Sequence, residues 1–236
     1  NPGLIQNYCR VPISVIHFLG ASVFSGDENR LQRAWGSTRE WLDEAERILA
    51  VAEGQSTPAS QLSLSQAYMN AMKLLIPTQS GGVESQLGEI NGLVGRFDNL
   101  LSDEMVRENK AVREIEAIFI NNAIESINGC STIAAGDKAE HVDRLIERFD
   151  RLRALPMFQD SVHVARVESI LISNSLPREV ANGNTAKVLW WEKRLDTLAK
   201  HAVFSEDLGI ARARVIALEA ALRALMKRGD GLEQKL

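Results

Sequence analysis

The chain has 236 residues, 45% apolar and 25% charged, which is the composition of a folded protein rather than a disordered one. Its formal charge of −4 and pI near 5.7 provide no overall attraction to nucleic acid or anionic lipid, so neither is an expected partner. The length allows one large domain or two small ones. Two cysteines, Cys9 and Cys130, stand far apart and outside any C-x-x-C pattern, so two buried thiols are expected rather than a disulfide. The apolar run at 11–24 contains His17 and falls short of the roughly 20 residues that a membrane-spanning helix needs. It reads as a buried first helix. The compartment stays open, with the cytoplasm slightly favoured. A start at Asn1 is what a processed form or an excised fragment would show, and a removed signal or anchor segment is compatible with it.

Helix-breaking residues are few and clustered, at 54–58, 77–82, 128–136 and 174–185, with Pro156 and 229–231 as further interruptions. Between them lie long helical stretches. Alternating runs of the strand type are almost absent, and the apolar stretch 162–172 has a spacing that suits a helix. Over 27–53, Leu31, Trp35, Thr38, Leu42, Ala45, Leu49 and Ala52 step by four and three, while Trp41 and Ile48 add a second apolar edge. A helix with two apolar edges packs against two neighbours. The residues Arg33-Ala34-Trp35, followed by Trp41-Leu42-Asp43-Glu44-Ala45-Glu46, resemble one helix of spectrin-type three-helix repeats. That resemblance covers about a tenth of the chain and does not recur at a repeat-like interval, so it implies no family membership.

From 82 to 128 no proline intervenes, and Val83, Leu87, Ile90, Val94, Phe97 and Leu101 form a heptad-like seam that continues less regularly through Met105, Val112, Ile115 and Phe119. Gly88, Gly92 and Gly95 fall off this seam, each costing about 1 kcal/mol relative to alanine within a helix. They point either to close approach of another helix or to a hinge or break. Asp137 and Glu140 have capping-box spacing ahead of Leu145, Phe149 and Leu152. The last segment carries the most regular seam, Leu208, Ala211, Val215, Leu218, Leu222 and Leu225, with Ser205 as the expected N-cap, Glu206 and Asp207 in the first turn and Gly229 at the close. Two such seams favour lengthwise packing. The expected fold is an all-α elongated helical bundle with coiled-coil-like long helices, about six to eight in number. It forms a single domain over 1–236, or two helical subdomains divided near 129–136.

No catalytic, cofactor-binding or metal-ligating residue is expected. His17, His141, His163 and His201 form no H-x-x-x-H or H-E-x-x-H, and Asp160 with His163 is a lone D-x-x-H that reads as a surface pair. Cys130 and His141 flank one loop, but nothing local activates the thiol. Gly81-Gly82 is followed by Glu84, which would repel a phosphate. The stretch 84–116 holds eight acids against four bases and could form an acidic docking face, with Glu104 and Glu108 as candidate partner contacts. Arg212, Arg214, Arg223, Lys227 and Arg228 make the last helix basic, a conceivable antiparallel partner for that stretch within or between chains. Without interleaved aromatics this helix is not expected to bind RNA. Trp190 and Trp191 point about 100° apart on a helix. Trp191 continues into Leu195, Leu198 and Ala202 as a core stripe, so either the helix has two packed sides and both rings are core, or Trp190 is a third candidate partner contact.

The resulting expectation is a non-enzymatic interaction, adaptor or scaffold component that binds a protein partner or itself through helix faces. The alternative is a helical small-molecule-binding or sensor domain, for which Tyr8, Tyr68, Arg33 and Arg39 are starting candidates. Leu218→Asp is expected to unfold the chain or dissociate its assembly, because it places a charge in the most regular seam.

Overall fold

A computed structural model describes residues 28–51, 57–76, 86–130 and 133–233. Expectations at Tyr8, Cys9, His17, Ala52, Val83 and Glu84, and for the side chains of Leu31, Leu225, Lys227 and Arg228, lie outside the described residues. Among the described residues the chain is all-α, with nine α-helices, one 3-10 turn and no strand. It divides into two compact units, Asn1–Leu152 and Arg153–Leu236. The boundary falls after Leu152 rather than near 129–136, because the helix following that loop carries Val142, Leu145 and Phe149 into the first unit's core.

The first unit contains α1 (Glu28–Val51), α2 (Pro58–Leu74), α3 (Gln86–Leu101), α4 (Glu104–Arg107), α5 (Lys110–Gly129) and α6 (Ala135–Arg153), whose last residue opens the second unit. Helix α1 buries Trp35, Thr38, Leu42 and Ala45 of the predicted series, leaves Leu49 and Ile48 half-buried, and leaves Trp41 on the surface. Helix α2 starts at a capping box in which the Ser60 N–H donates to Thr57 Oγ1 at 3.2 Å and the Thr57 N–H to Ser60 Oγ at 2.9 Å. Pro58, which has no N–H to lose, occupies the first turn. The core centres on Phe97, whose ring lies 4.6 Å from Phe119 and 6.0 Å from Tyr68. Ile90, Phe97 and Leu101 of the predicted seam are buried here, so that seam closes within its own unit.

The 82–128 stretch is interrupted, but not at its glycines. Gly88, Gly92 and Gly95 lie on the exposed side of a continuous α3, and a Cβ at any of them would meet nothing within 4 Å. The breaks fall where side chains offer the backbone new caps. Asp103 accepts from the Met105 N–H at 2.8 Å to start α4, and Asn109 accepts from the Ala111 N–H at 3.0 Å to start α5. These breaks raise the helix count above six to eight. Helix α6 begins at Ala135, so Asp137 sits inside its first turn rather than capping it.

The second unit holds the 3-10 turn Pro156–Phe158 and helices α7 (Val162–Asn182), α8 (Thr185–Lys200) and α9 (Leu208–Glu233). The loop expected at 174–185 shrinks to two residues, because α7 continues through Pro177. The proline forgoes one helical hydrogen bond, while Ile172, Leu176 and Val180 on the same helix are buried. Helix α7 ends at Gly183, whose φ of 71° lets the Asn184 N–H reach the Glu179 carbonyl at 3.0 Å. Helix α9 is capped by Asp207 rather than Ser205, its carboxylate accepting from the Ile210 N–H at 3.0 Å.

Candidate functional site

Helix α9 is apolar on two sides, and the side it buries is the one made of small residues. Ile210, Ala213, Ala217 and Ala221 face α7, with Ala217 fully buried. Small side chains let the two backbones approach, and Ser173 Oγ on α7 lies 3.0 Å from the Ala213 carbonyl of α9. Arg166 on α7 holds Asp207 at the start of α9 through two nitrogens, at 2.7 and 3.1 Å. Gly209 leaves room for this clamp, since a Cβ there would stand 3.0 Å from Asp207 Oδ1. The Arg166 hydrogen bond is the main reason the Asp207 carboxyl is held below the usual carboxylate range, helped by the Ile210 N–H and opposed by burial.

The opposite side carries the seam. At about 100° per residue, Leu222 lies about 140° around the helix from Ala217. It is 58% exposed, and Leu208, Val215, Leu218 and Met226 are exposed with it. The sequence identified Leu208, Val215, Leu218 and Leu222 as a seam, to be covered either within the chain or by another chain. The structure instead packs the alanines, because heptad spacing marks an apolar stripe without saying whether a neighbour exists to cover it. Among the described residues, all the exposed large hydrophobics except Trp41 and Met105 belong to the second unit.

Trp191 is buried and Trp190 is 40% exposed, the division the helical spacing implies. The Arg194 guanidinium lies 4.6 Å from the Trp190 ring centre and 5.5 Å from that of Trp191. Arg194 also meets Glu168 Oε1 at 2.7 Å, and Arg153 reaches Glu168 Oε2 at 3.3 Å. Trp190 is thus the outer plate of a packed ionic cluster. Sequence reasoning missed this cluster, although Glu168 among Val164, Val167 and Leu171 is an acid on an apolar face. Glu104 and Glu108 are both exposed at either end of α4. Glu104 is partnered by Arg107 at 3.7 Å.

The first unit has an equivalent cluster. Glu116, almost fully buried, lies 2.8 Å from Arg113 Nη1 and 2.8 Å from Arg148 Nε, while Arg148 Nη1 reaches Asp98 at 2.8 Å. Burial, aided by repulsion from Arg148 and Arg107, lowers the Arg113 pKa against the pull of Glu116. A cleft of about 320 Å³ opens beside these residues, lined also by Arg144 and Arg151. A second cleft of about 320 Å³ between α1 and α3 is lined by Trp35, Arg39, Asp43, Glu89 and Arg96. Of the proposed ligand-binding residues, Arg39 lines this cleft and pairs with Glu89 at 2.9 Å, and Arg33 is exposed on α1. Tyr68 is buried, donating to Glu46 Oε1 at 2.7 Å, and Glu46 in turn meets Arg96 at 3.1 Å. Tyr68 therefore connects to the cleft only through Glu46 and Arg96, and these three candidates do not converge on one cavity.

Asp160 and His163 are both exposed, and Asp160 lies 3.8 Å from His201 instead. Cys130 is a buried thiol. Among the described residues no three His, Cys, Asp or Glu side chains are grouped to hold a metal ion, and no helix is long and apolar enough to cross a membrane. No family model matches the chain, and no curated protein or solved structure was found to be similar to it.

Proposed function

We propose that this chain is a non-enzymatic interaction component that docks a protein partner through the exposed leucine-rich side of α9. One observation carries the reading: α9 is secured to its own unit by an alanine face and holds a heptad-spaced apolar stripe on the far side. A stripe that contributes nothing to its own core has a use in association, because exposed contiguous apolar surface otherwise costs solubility. Heptad spacing suits a helical partner, since an apolar seam keeps its register along another helix over several turns. A protein fits this surface better than nucleic acid does, given its apolar character and the chain's net charge of −4. The buried charges support a structural rather than a catalytic role for the ionic clusters. Glu116 and Glu168 each lie between two arginines that neutralise them within the fold.

The test is a comparison of the full chain with its Leu218→Asp/Leu222→Asp variant, by thermal melting and by binding of an apolar fluorescent dye. Both residues are exposed, so at low protein concentration, where the chain is monomeric, the variant should melt as the wild type does while losing dye binding. A variant that unfolds would place the stripe in a core and end the reading.

A further inference from the structure

Resting on that docking surface, we infer that its occupant is a second copy of this chain, with the two α9 helices parallel and in register. Taking Leu208, Val215 and Leu222 as one seam position and Ala211 and Leu218 as the other, Val215 meets its own counterpart, as does Leu218. Val215 is the β-branched residue at the first position, where Leu208 and Leu222 also stand, so the seam permits a two-stranded coil and leaves its direction to the flanking charges.

The flanks of the seam choose the direction. In a parallel pair, each residue just before the first seam position faces the residue five further along the other copy, just after the second seam position. Arg214 then meets Glu219 of the second copy, a pair of opposite charges that two-fold symmetry repeats. The equivalent position at the helix start adds no such pair, because Arg166 and the Ile210 N–H already hold the Asp207 carboxylate that would face Arg212. An antiparallel pair centred on the same stripe sets Arg214 against Ala221, which is buried against α7. It leaves that arginine without an acidic partner across the seam. The existing contact of Glu219 with Arg223 at 2.5 Å joins two exposed side chains and does not prevent sharing. The described stripe spans under three heptads, so the pair should be concentration-dependent rather than permanent.

The experiment uses the full chain. Light scattering after size exclusion, over about 1 µM to about 1 mM, covers the affinities a short seam gives. The expected mass rises from monomer toward dimer. Arg214→Glu should weaken the pair about tenfold, and adding Glu219→Arg should restore it, because each swap acts on two symmetry-related contacts. Leu222→Cys should form a disulfide-linked dimer on mild oxidation, whereas the unsubstituted chain should not. In the antiparallel arrangement the two Leu222 positions stand about 16 Å apart, beyond disulfide reach. A dimer that ignores Arg214→Glu and gives no Leu222→Cys disulfide overturns the parallel pairing. A strict monomer that still binds apolar dye through α9 overturns the second copy and leaves the docking surface standing. A monomer that binds no dye removes both.

Discussion

Tyr68 is neutral by construction. Burial, reinforced by its hydrogen bond to Glu46 and the charge of that carboxylate, pushes its pKa up beyond the ordinary tyrosine range. Its hydroxyl therefore serves as a donor rather than as a base. Tyr68→Phe should cost about 1 kcal/mol in denaturant unfolding, the worth of one buried hydrogen bond, without altering the helix content. A larger charge effect is expected at Glu168, where one carboxylate separates Arg153 and Arg194, both mostly buried. Glu168→Gln should destabilise the second unit by about 3 kcal/mol, because two desolvated cations lose their shared counter-charge. Asp207 has its pKa held down by Arg166, so the folded state binds this proton less readily than the unfolded state does. Its stabilising contribution is present above the unfolded carboxylate pKa of about 3.9 and is lost as pH falls through the lower folded value. In urea titrations, Asp207→Asn should lower the unfolding midpoint at pH 6, and the gap to the wild type should narrow as pH falls below about 3.9. A constant difference across that range would remove Asp207 from the acid response.

At the scale of the element, α9 separates two meanings of an apolar stripe. Ala217 is fully covered by α7, so Ala217→Leu forces the helices apart and should cost about 2 kcal/mol by overpacking. Leu222→Asp, on the other side of the same helix, should leave melting within about 0.5 kcal/mol of wild type, as exposed substitutions do. Periodicity in the sequence located the leucine-rich set and not the buried one, Ile210, Ala213, Ala217 and Ala221, because hydrophobicity favours leucine over alanine as core. Close packing of two backbones rewards the opposite order. The same distinction explains α3, whose seam of Ile90, Phe97 and Leu101 looked equivalent to that of α9 yet is buried in its own unit. Pro177 was misleading for a related reason. A proline signals a helix end from local sterics, but buried side chains on either side of it hold α7 together across the lost hydrogen bond. Breaks at Asp103 and Asn109 left a clearer signature, since both are strong capping residues within an otherwise uninterrupted stretch.

For the whole molecule, the all-α class was legible because helical spacing, sparse breakers and missing strand patterns agree along the chain. The 100° step set Trp190 and Trp191 on different sides, and the stripe through Leu195 and Leu198 marked Trp191 as the core ring, although burial of both rings was also open. The two ionic clusters were not legible, because their members come from different helices and only the fold brings them together. Nor was the freedom of the last seam, since a single sequence carries its own apolar residues but not the partner that covers them. The most direct measurement is the light-scattering mass of the full chain beside its Leu218→Asp/Leu222→Asp variant, across the same concentrations and with melting recorded for each. The account predicts a wild-type mass that climbs from 26.1 kDa toward twice that value, and a variant that stays at 26.1 kDa and melts as the dilute, monomeric wild type does. Equal masses for the two proteins at every concentration, or a variant that unfolds, would contradict it.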